Sequence, residues 1–376
     1  MAAISGLQYS VEGRMEYHDN IARRPSGQPL PPSYKSRSDW RFSPTVNVSA
    51  GKPFGQQLLF LNASLGYDFH AHNTRLNRQR IMTGGGLQWA LGTRCGGRLQ
   101  GNYSSRQTRI SDFDEFIPST RSTLSATASA SCRLVGKLSA SGGYTWRKLN
   151  NSLEERKRSD VQGGGYNVGL NYPIGTKGTL SGSWFSQNNR YPNQLLEDGA
   201  ENEIRIKGYS VGAGYRINRM FAVNGSIGRT KVRSANPYFA DFSGLNWSLG
   251  LNYTGPKFGA MLGTGKATSA MGNAGNVSNS KHWTASVNYA LNSRIGLQAG
   301  YNHNNIDRFG IAEGPGGIPE LMARNRVLDT FNLTASYQMN RLLSGNLTYR
   351  RQHRPQSDTI YGFTDNSIGL TVRASF

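Results

Sequence analysis

The stretch Asn366-Ser-Ile-Gly-Leu-Thr-Val-Arg-Ala-Ser-Phe376 divides cleanly by parity: Asn366, Ile368, Leu370, Val372, Ala374 and Phe376 fall on one face of an extended chain, Ser367, Gly369, Thr371, Arg373 and Ser375 on the other. Successive strand side chains point to opposite sides, so one face of this segment suits lipid and the other suits water. The same division recurs in Leu245, Trp247, Leu249, Leu251 and Tyr253 against Asn246, Ser248, Gly250 and Asn252. It returns in Phe331, Leu333, Ala335, Tyr337 and Met339 against Asn332, Thr334, Ser336 and Gln338. Apolar spacing at i, i+3, i+4 is missing, and period two dominates the chain.

Composition alone points elsewhere. The 376 residues carry 43 Lys and Arg against 22 Asp and Glu, a net charge of +21, with 46 glycines and 10% aromatics. So polar a chain is ordinarily soluble or bound to nucleic acid. The longest aliphatic block is only Leu58–Leu61, far short of the ~20 apolar residues a spanning helix requires. Alternation of this kind reconciles the two: a transmembrane β-barrel keeps half of each strand polar. Nucleic acid is therefore not an expected partner. No charged-apolar leader stands at Met1, which is consistent with a processed protein of the bacterial outer membrane.

Strands are expected to begin near Leu7, Ser38, Leu58, Arg78, Arg94, Arg121, Lys137, Asp160, Lys177, Glu203, Met220, Gly244, Lys257, Lys281, Arg294, Leu328, Arg341 and Thr364. That makes an all-β fold, one antiparallel barrel domain over residues 1–376 with about 18 strands, an even number as bacterial single-chain barrels require. Tight turns are expected at Leu91-Gly-Thr93, Val135-Gly-Lys137, Gly175-Thr-Lys177, Asn218-Arg219, Gly255-Pro-Lys257, Asn292-Ser293 and Asn340-Arg341, where Gly and Asn supply the special backbone angles. Longer polar loops fall at about 22–37, 111–119, 188–202, 233–242, 270–280, 306–326 and 352–362. Short turns on one side and long loops on the other imply a periplasmic and an extracellular end, with both termini periplasmic.

Tyr215-Arg-Ile-Asn-Arg, Tyr289-Ala-Leu-Asn-Ser and Tyr337-Gln-Met-Asn-Arg form a weak repeat beside the short turns, with Tyr172 and Tyr253 similarly placed. These tyrosines read as a periplasmic aromatic girdle. Trp40, Trp146, Trp184, Trp247 and Trp283 lie toward the other strand ends on the lipid parity and read as the outer girdle.

Inward parity is rich in Gly, Ser, Thr, Asn and Gln, too small to fill eighteen strands' worth of barrel, which encloses a backbone cylinder on the order of 35 Å across. Arg14, Arg41, Arg94, Arg98, Arg147, Arg216, Arg350 and Arg373 fall on that parity, opposed by few acids such as Glu12, Glu16 and Asp68. A positive, water-filled lumen attracts anions, more so at low salt. For each arginine the competing role is pairing with neighbouring carboxylates or with lipopolysaccharide phosphates.

Cys95 and Cys132 are expected at one end of adjacent strands on outward parity, either bonded to each other or as two free thiols. No CxxC spacing or nearby histidine makes them a metal site, and no cofactor is expected. The run from Gly259 to Lys266 fails the phosphate-loop pattern, since Ala260 and Ala267 occupy required positions. Asp112, Asp114, Glu115, Glu154 and Glu155 cluster in exterior loops, where solvated charge outweighs a bridging divalent ion. The six histidines are scattered, no Ser-His-Asp set can be assembled, and no enzyme is expected.

The segments Tyr17-His-Asp-Asn-Ile-Ala-Arg23, Leu343-Ser-Gly-Asn-Leu-Thr-Tyr-Arg-Arg351 and Tyr361 through Phe376 resemble the EpsL-type outer-membrane β-barrels of exopolysaccharide gene clusters. The resemblance covers the first strand and the last three. It implies an outer-membrane pore for a secreted polysaccharide, working with a periplasmic polysaccharide-export protein. Terminal Phe376 is similar to the signal read by the barrel-assembly machinery and marks the class only. The expected function is export of an anionic exopolysaccharide through an electropositive channel, with the loop from Asp307 to Arg326 restricting the mouth. The competing readings are a general or anion-selective diffusion porin, with Gly314-Pro-Gly-Gly317 in a loop folded inward, and a barrel sheathing a cytochrome electron conduit. Lipopolysaccharide and membrane lipid are the expected surroundings.

Overall fold

Alternating residues that cannot be buried on both sides find their stable form in a closed sheet without edges, because every backbone N–H and C=O must be paired where the flank is hydrocarbon. A computed structural model of the chain describes residues 6–32, 34–108, 119–237, 241–269, 277–313, 319–356 and 361–376. Among these residues there are eighteen strands. In chain order they are β1 (Gly6–His18), β2 (Asp39–Phe54), β3 (Gln57–His70), β4 (Arg78–Leu91), β5 (Cys95–Gln107), β6 (Thr120–Arg133), β7 (Ser139–Asn151), β8 (Val161–Ile174) and β9 (Gly178–Leu195). There follow β10 (Glu201–Arg216), β11 (Phe221–Ser234), β12 (Phe242–Thr254), β13 (Phe258–Ser269), β14 (Val277–Ala290), β15 (Ile295–Glu313), β16 (Pro319–Gln338), β17 (Leu343–Arg354) and β18 (Phe363–Ser375).

Each strand pairs antiparallel with its sequence neighbours, and β1 pairs with β18 from Ser10↔Ser375 to His18↔Ser367, closing the barrel. Beyond that register, Phe376 N–H donates to Tyr9 O at 2.8 Å and the two rings stack with centroids 5.2 Å apart.

The connections alternate as short turns and longer loops. Gly55, Gly92, Gly136 and Gly175 take φ of 57°, 59°, 67° and 59° in four of the short turns, a region that favours glycine. The turn at Gly55, between β2 and β3, adds to those anticipated from the sequence. The Tyr-x-x-Asn repeat also has its physical reason: the carboxamide oxygens of Asn218, Asn292 and Asn340 each accept two backbone N–H groups at 2.8–2.9 Å, closing an Asx turn just after the strand.

Two of the expected loops are mostly strand. Residues 188–202 belong largely to β9 and β10, leaving 196–200 as the connection, and β15 and β16 pair from Ile295↔Tyr337 up to Glu313↔Pro319. Of the segment from Asp307 to Arg326, residues 307–313 and 319–326 thus belong to the paired ends of β15 and β16, because the ladder continues through them. Gly314-Pro-Gly-Gly317 and the acids Asp112, Asp114 and Glu115 lie outside the described residues. Two loops carry 3-10 turns: Thr74–Leu76 after β3, in a loop the sequence did not signal, and Glu154–Ser159 after β7, where Glu154 and Glu155 were expected in a loop.

Parity holds around the ring. Leu7, Tyr9, Val11 and Met15 on β1, Phe42 and Val46 on β2, Leu59, Leu61 and Leu65 on β3, and Ile368, Leu370 and Val372 on β18 are all exposed on the outer face. One sector departs from the small polar rule inside. Val161, Tyr191, Ile204, Ile206 and Val232 are buried together on the inner wall of β8–β11, with Leu149, Phe185 and Phe242 packed against them. Directly paired residues share a face, so Ile206↔Val232 and Val232↔Phe242 place this cluster opposite in the ring to β1 and β18.

Candidate functional site

The lumen beside the β1–β18 seam is the most built part of the molecule. Arg14 and Glu16 of β1, Arg41 of β2, Asp68 of β3, Arg80 of β4, Arg106 of β5, Arg350 of β17 and Asp365 of β18 all project inward. Most of them line one cavity of about 370 Å³. In that lining six arginines, including Arg23 from the β1–β2 loop, face two carboxylates, Asp68 and Asp365.

The acids orient some of the cations. Glu16, nearly buried, binds Arg14 Nη2 at 2.9 Å, sits against Arg41 Nη2, and lies 3.5 Å from His18 Nε2. Asp365 takes His18 Nδ1 at 3.2 Å and stands 3.8 Å from Arg23 Nε. Asp68 accepts from the Ser43 hydroxyl at 2.6 Å and lies 3.9 Å from Arg80, whose Nη2 donates to Thr45 Oγ1 at 2.7 Å. Arg106 and Arg350, by contrast, make no ion pair among the described residues. A guanidinium held in place with free donors is a preorganised anion contact.

The β1–β2 loop also reaches the lumen. Ile21 and Arg23 from this loop line the same cavity as the strand arginines. Ile21, Ala22, Tyr34 and Leu76 form a small buried core of their own, with Leu30 against it. Burial pushes the Tyr34 phenol well above its ordinary value, and desolvation pulls Arg23 below its own while Asp365 opposes the shift.

Two polar latches fix the loop. Asp39 accepts the backbone N–H of His72 and Asn73 at 2.9 Å and the Asn73 carboxamide at 2.8 Å. The Asn73 oxygen in turn accepts Lys35 N–H at 2.8 Å and Ser36 N–H at 3.1 Å. On the other side Asp19 takes the backbone and side-chain N–H of Asn366, both at 2.7 Å, and Asn20 donates to Thr364 O at 2.8 Å. Arg23 Nη2 then reaches Gln352 Oε1 at 2.7 Å.

The other arginines named from the sequence are spread over the wall. Arg98 of β5 points inward with its guanidinium 4.3 Å from the Phe60 ring centroid. Arg147 of β7 is inward on the far wall and makes no ion pair among the described residues. Arg373 is opposite Glu12 on the inner face, close to the short-turn end. Arg216 is the last residue of β10, on the short-turn rim. Arg94 precedes β5 and sits exposed in the β4–β5 turn, so it belongs to the rim rather than to the wall. Arg23, Arg80 and Arg106 escaped the sequence reading. For Arg80 and Arg106 the parity signal was present; Arg23 is in a loop without periodicity.

The aromatic residues take two levels. Tyr172, Tyr215, Tyr253, Tyr289 and Tyr337 stand one or two residues before the short-turn ends of their strands, all exposed except Tyr253, which is half-buried. Trp40, Trp184, Trp247 and Trp283 are exposed on the outer face toward the long-loop ends, and Trp146 is half-buried at its place on β7. Cys95 and Cys132 are paired in register on β5 and β6 and joined by a disulfide. Glu154 pairs with Lys157 at 2.5 Å in its own 3-10 turn. No cluster of metal-ligating side chains occurs among the described residues.

The Gram-negative porin family matches residues 135–308. No curated protein matches the chain. Among solved structures, OccK2 (OpdF) of Pseudomonas aeruginosa in complex with glucuronate has a TM-score of 0.54 at 11% identity, covering 98% of each chain. OpdK of the same organism with vanillate gives 0.52 at 12% identity, covering 98% of this chain and 99% of that one. The siderophore receptor PirA of Pseudomonas aeruginosa gives 0.54 at 11% identity, covering all of this chain and 81% of that one. At such identities the likeness is one of fold. The molecule is a porin-like β-barrel of the outer-membrane kind.

Proposed function

We propose that this barrel is an anion-selective channel whose permeant is a saccharide bearing carboxylate or similar anionic groups, and that an anionic exopolysaccharide leaving the cell is its first substrate. The observation that carries the reading is the convergence of six arginines on one side of the lumen, with two carboxylates in the same lining. Guanidinium groups remain charged at any relevant pH and fork onto carboxylates and phosphates. Spread from the loop-covered mouth past Arg350 and Arg14 to Arg373 near the other end, they offer a succession of weak contacts, which allows passage rather than capture. The resemblance of the terminal strands to exopolysaccharide barrels favours the polymer. In this reading the short turns and both termini face the periplasm, where an export protein would deliver the chain.

A second reading is favoured by the β1–β2 loop, whose latches narrow the opening: uptake of small organic anions. OccK2 has been seen with glucuronate and OpdK with vanillate, both carboxylates. Planar-bilayer recordings separate the two. Both require anion selectivity, and cation selectivity contradicts both. Polyuronate oligomers added at the short-turn side should interrupt the current in length-dependent blocks for export. Block by uronate monomers alone assigns the channel to small solutes.

A further inference from the structure

The outer face carries a second basic surface, unrelated to the lumen. On β10 and β11 the lipid-parity residues run Val211, Tyr209, Lys207, Arg205 and Ile227, Arg229, Lys231, Arg233 toward the long-loop end, and all are exposed. The register sets Arg205 opposite Arg233 and Lys207 opposite Lys231. Like charges directly opposite on one face of an antiparallel pair repel. A third such pair, Lys266↔Lys281, lies two strands further on, beside exposed Trp247 and Trp283.

Nearby acids do not balance this charge. Glu203 is shared by Arg205 at 3.0 Å and Arg190 at 3.4 Å, and Asp241 by Arg233 at 3.2 Å and Lys231 at 3.5 Å. Arg229 Nε donates to the Ser243 hydroxyl at 2.8 Å. Lys207 and Arg229 make no ion pair among the described residues.

Immediately below the cations the same face turns apolar. Val211, Ile227, Leu245 and Leu249 are between 52% and 57% exposed. A surface with stacked cations above and bare aliphatic wall below matches an amphiphile with phosphates above fatty chains. A second copy of this barrel, presenting the same positive face, would be repelled.

We propose that the outer face of β10–β14 is a binding site for a phosphorylated glycolipid of the outer leaflet, its phosphates lying between Arg205, Lys207, Lys231 and Arg233 and its acyl chains along Val211, Ile227 and Leu249. The site rests on the long-loop end facing outward and not on what passes through the channel, so the two can fail separately. Bound phosphate converts two repulsive cross-strand pairs into bridged ones and ties β10 to β11 just above the apolar band.

The test uses the full barrel in phosphatidylcholine nanodiscs, titrated with bis-phosphorylated lipid A or with the same lipid stripped of phosphate, binding being read by native mass spectrometry after detergent release. The wild type should retain the phosphorylated lipid at least roughly tenfold better than the stripped one, given the attraction of each cation near an anionic headgroup. The double substitution Lys207→Ser and Lys231→Ser should abolish that preference, while the lumen control Arg98→Ser and Arg147→Ser, which removes the same charge, should keep it. Thermal unfolding supplies an independent sign. The outward variant should be no less stable than the wild type without lipid A, where repulsion has been relieved, and should lose the wild type's rise in Tm when lipid A is present. Equal retention of both lipids by the wild type, or equal phosphate preference in the outward variant, overturns the proposal.

Discussion

Arg350 is the lumen arginine whose removal speaks most directly to ion selectivity, since no carboxylate of the described residues depends on it. Arg350→Gln leaves the ladder Asn332↔Arg350 and Arg350↔Ser367 intact and deletes one unit of charge from the wall. An anion passing about 6 Å from a guanidinium gains roughly 0.7 kcal/mol at the dielectric constant of water, and a cation loses as much. At ~0.1 M salt, with a Debye length of about 10 Å, screening leaves roughly half, so one arginine changes the anion-to-cation permeability ratio by roughly fourfold. At ~1 M salt the same substitution should change the ratio by less than about 1.5-fold. Zero-current potentials of the wild type and the variant under a KCl gradient measure this directly. Arg94→Gln, in the turn, serves as the charge-matched control and should have little effect. An unchanged potential for Arg350→Gln at low salt, or an Arg94 effect as large, refutes the assignment of selectivity to the inner wall.

Other consequences follow from the same geometry. Asn73→Ala removes the carboxamide that joins Asp39 to the backbone of Lys35 and Ser36, leaving part of a buried carboxylate unpaired at a cost of about 1–3 kcal/mol. Faster hydrogen exchange over residues 19–38 and noisier, larger single-channel currents are expected, and unchanged exchange would contradict the latch. Ile204→Ala, at a position 1% exposed within the inner apolar cluster, should destabilise the barrel by ~2–4 kcal/mol in urea titrations, whereas Ile227→Ala on the lipid face should cost less. The Cys95–Cys132 thiols should resist maleimide until reduced. Because the bond closes 37 residues of chain, reduction should lower the unfolding midpoint, by ~2–4 kcal/mol at most since β5 and β6 are already paired there.

Much of the fold was legible because a barrel writes itself into sequence locally. Period two marks the strands, Gly and Asn mark the turns, and the tyrosines three residues before Asn218, Asn292 and Asn340 mark where strands stop. What escaped depends on long-range closure. The latch of Asp19 to Asn366 joins residues 347 positions apart, and no local pattern announces it. Residues 19–38 lack periodicity, so nothing in them distinguishes a loop that stands away from one that folds over the lumen. The ends of β15 and β16 flank the Gly and Pro of 314–317, residues that signal a loop and interrupt the alternation on either side.

The inner apolar cluster and the outer basic face are written locally, in the parity of one segment. In Glu203-Ile-Arg-Ile-Lys207 the charged residues share the parity of Tyr209 and Val211, which fixes them as outward and both isoleucines as inward. The period of two is kept, but the polarity of the two faces is exchanged. Inverted polarity near a strand end marks the level where hydrocarbon gives way to headgroups, and it is readable wherever a neighbouring apolar stretch sets the parity.

A lumen filled with water and biased toward anions is tested most directly by charged thiol reagents at adjacent positions of one strand. Thr348 points into the cavity beside Arg350, whereas Leu347 is exposed on the outer face. In liposomes, Thr348→Cys should react with an anionic methanethiosulfonate faster than with a cationic one, each rate normalised to that of a free thiol, and Leu347→Cys should react with neither. Equal reaction at both positions, or preference for the cationic reagent at position 348, would contradict the account.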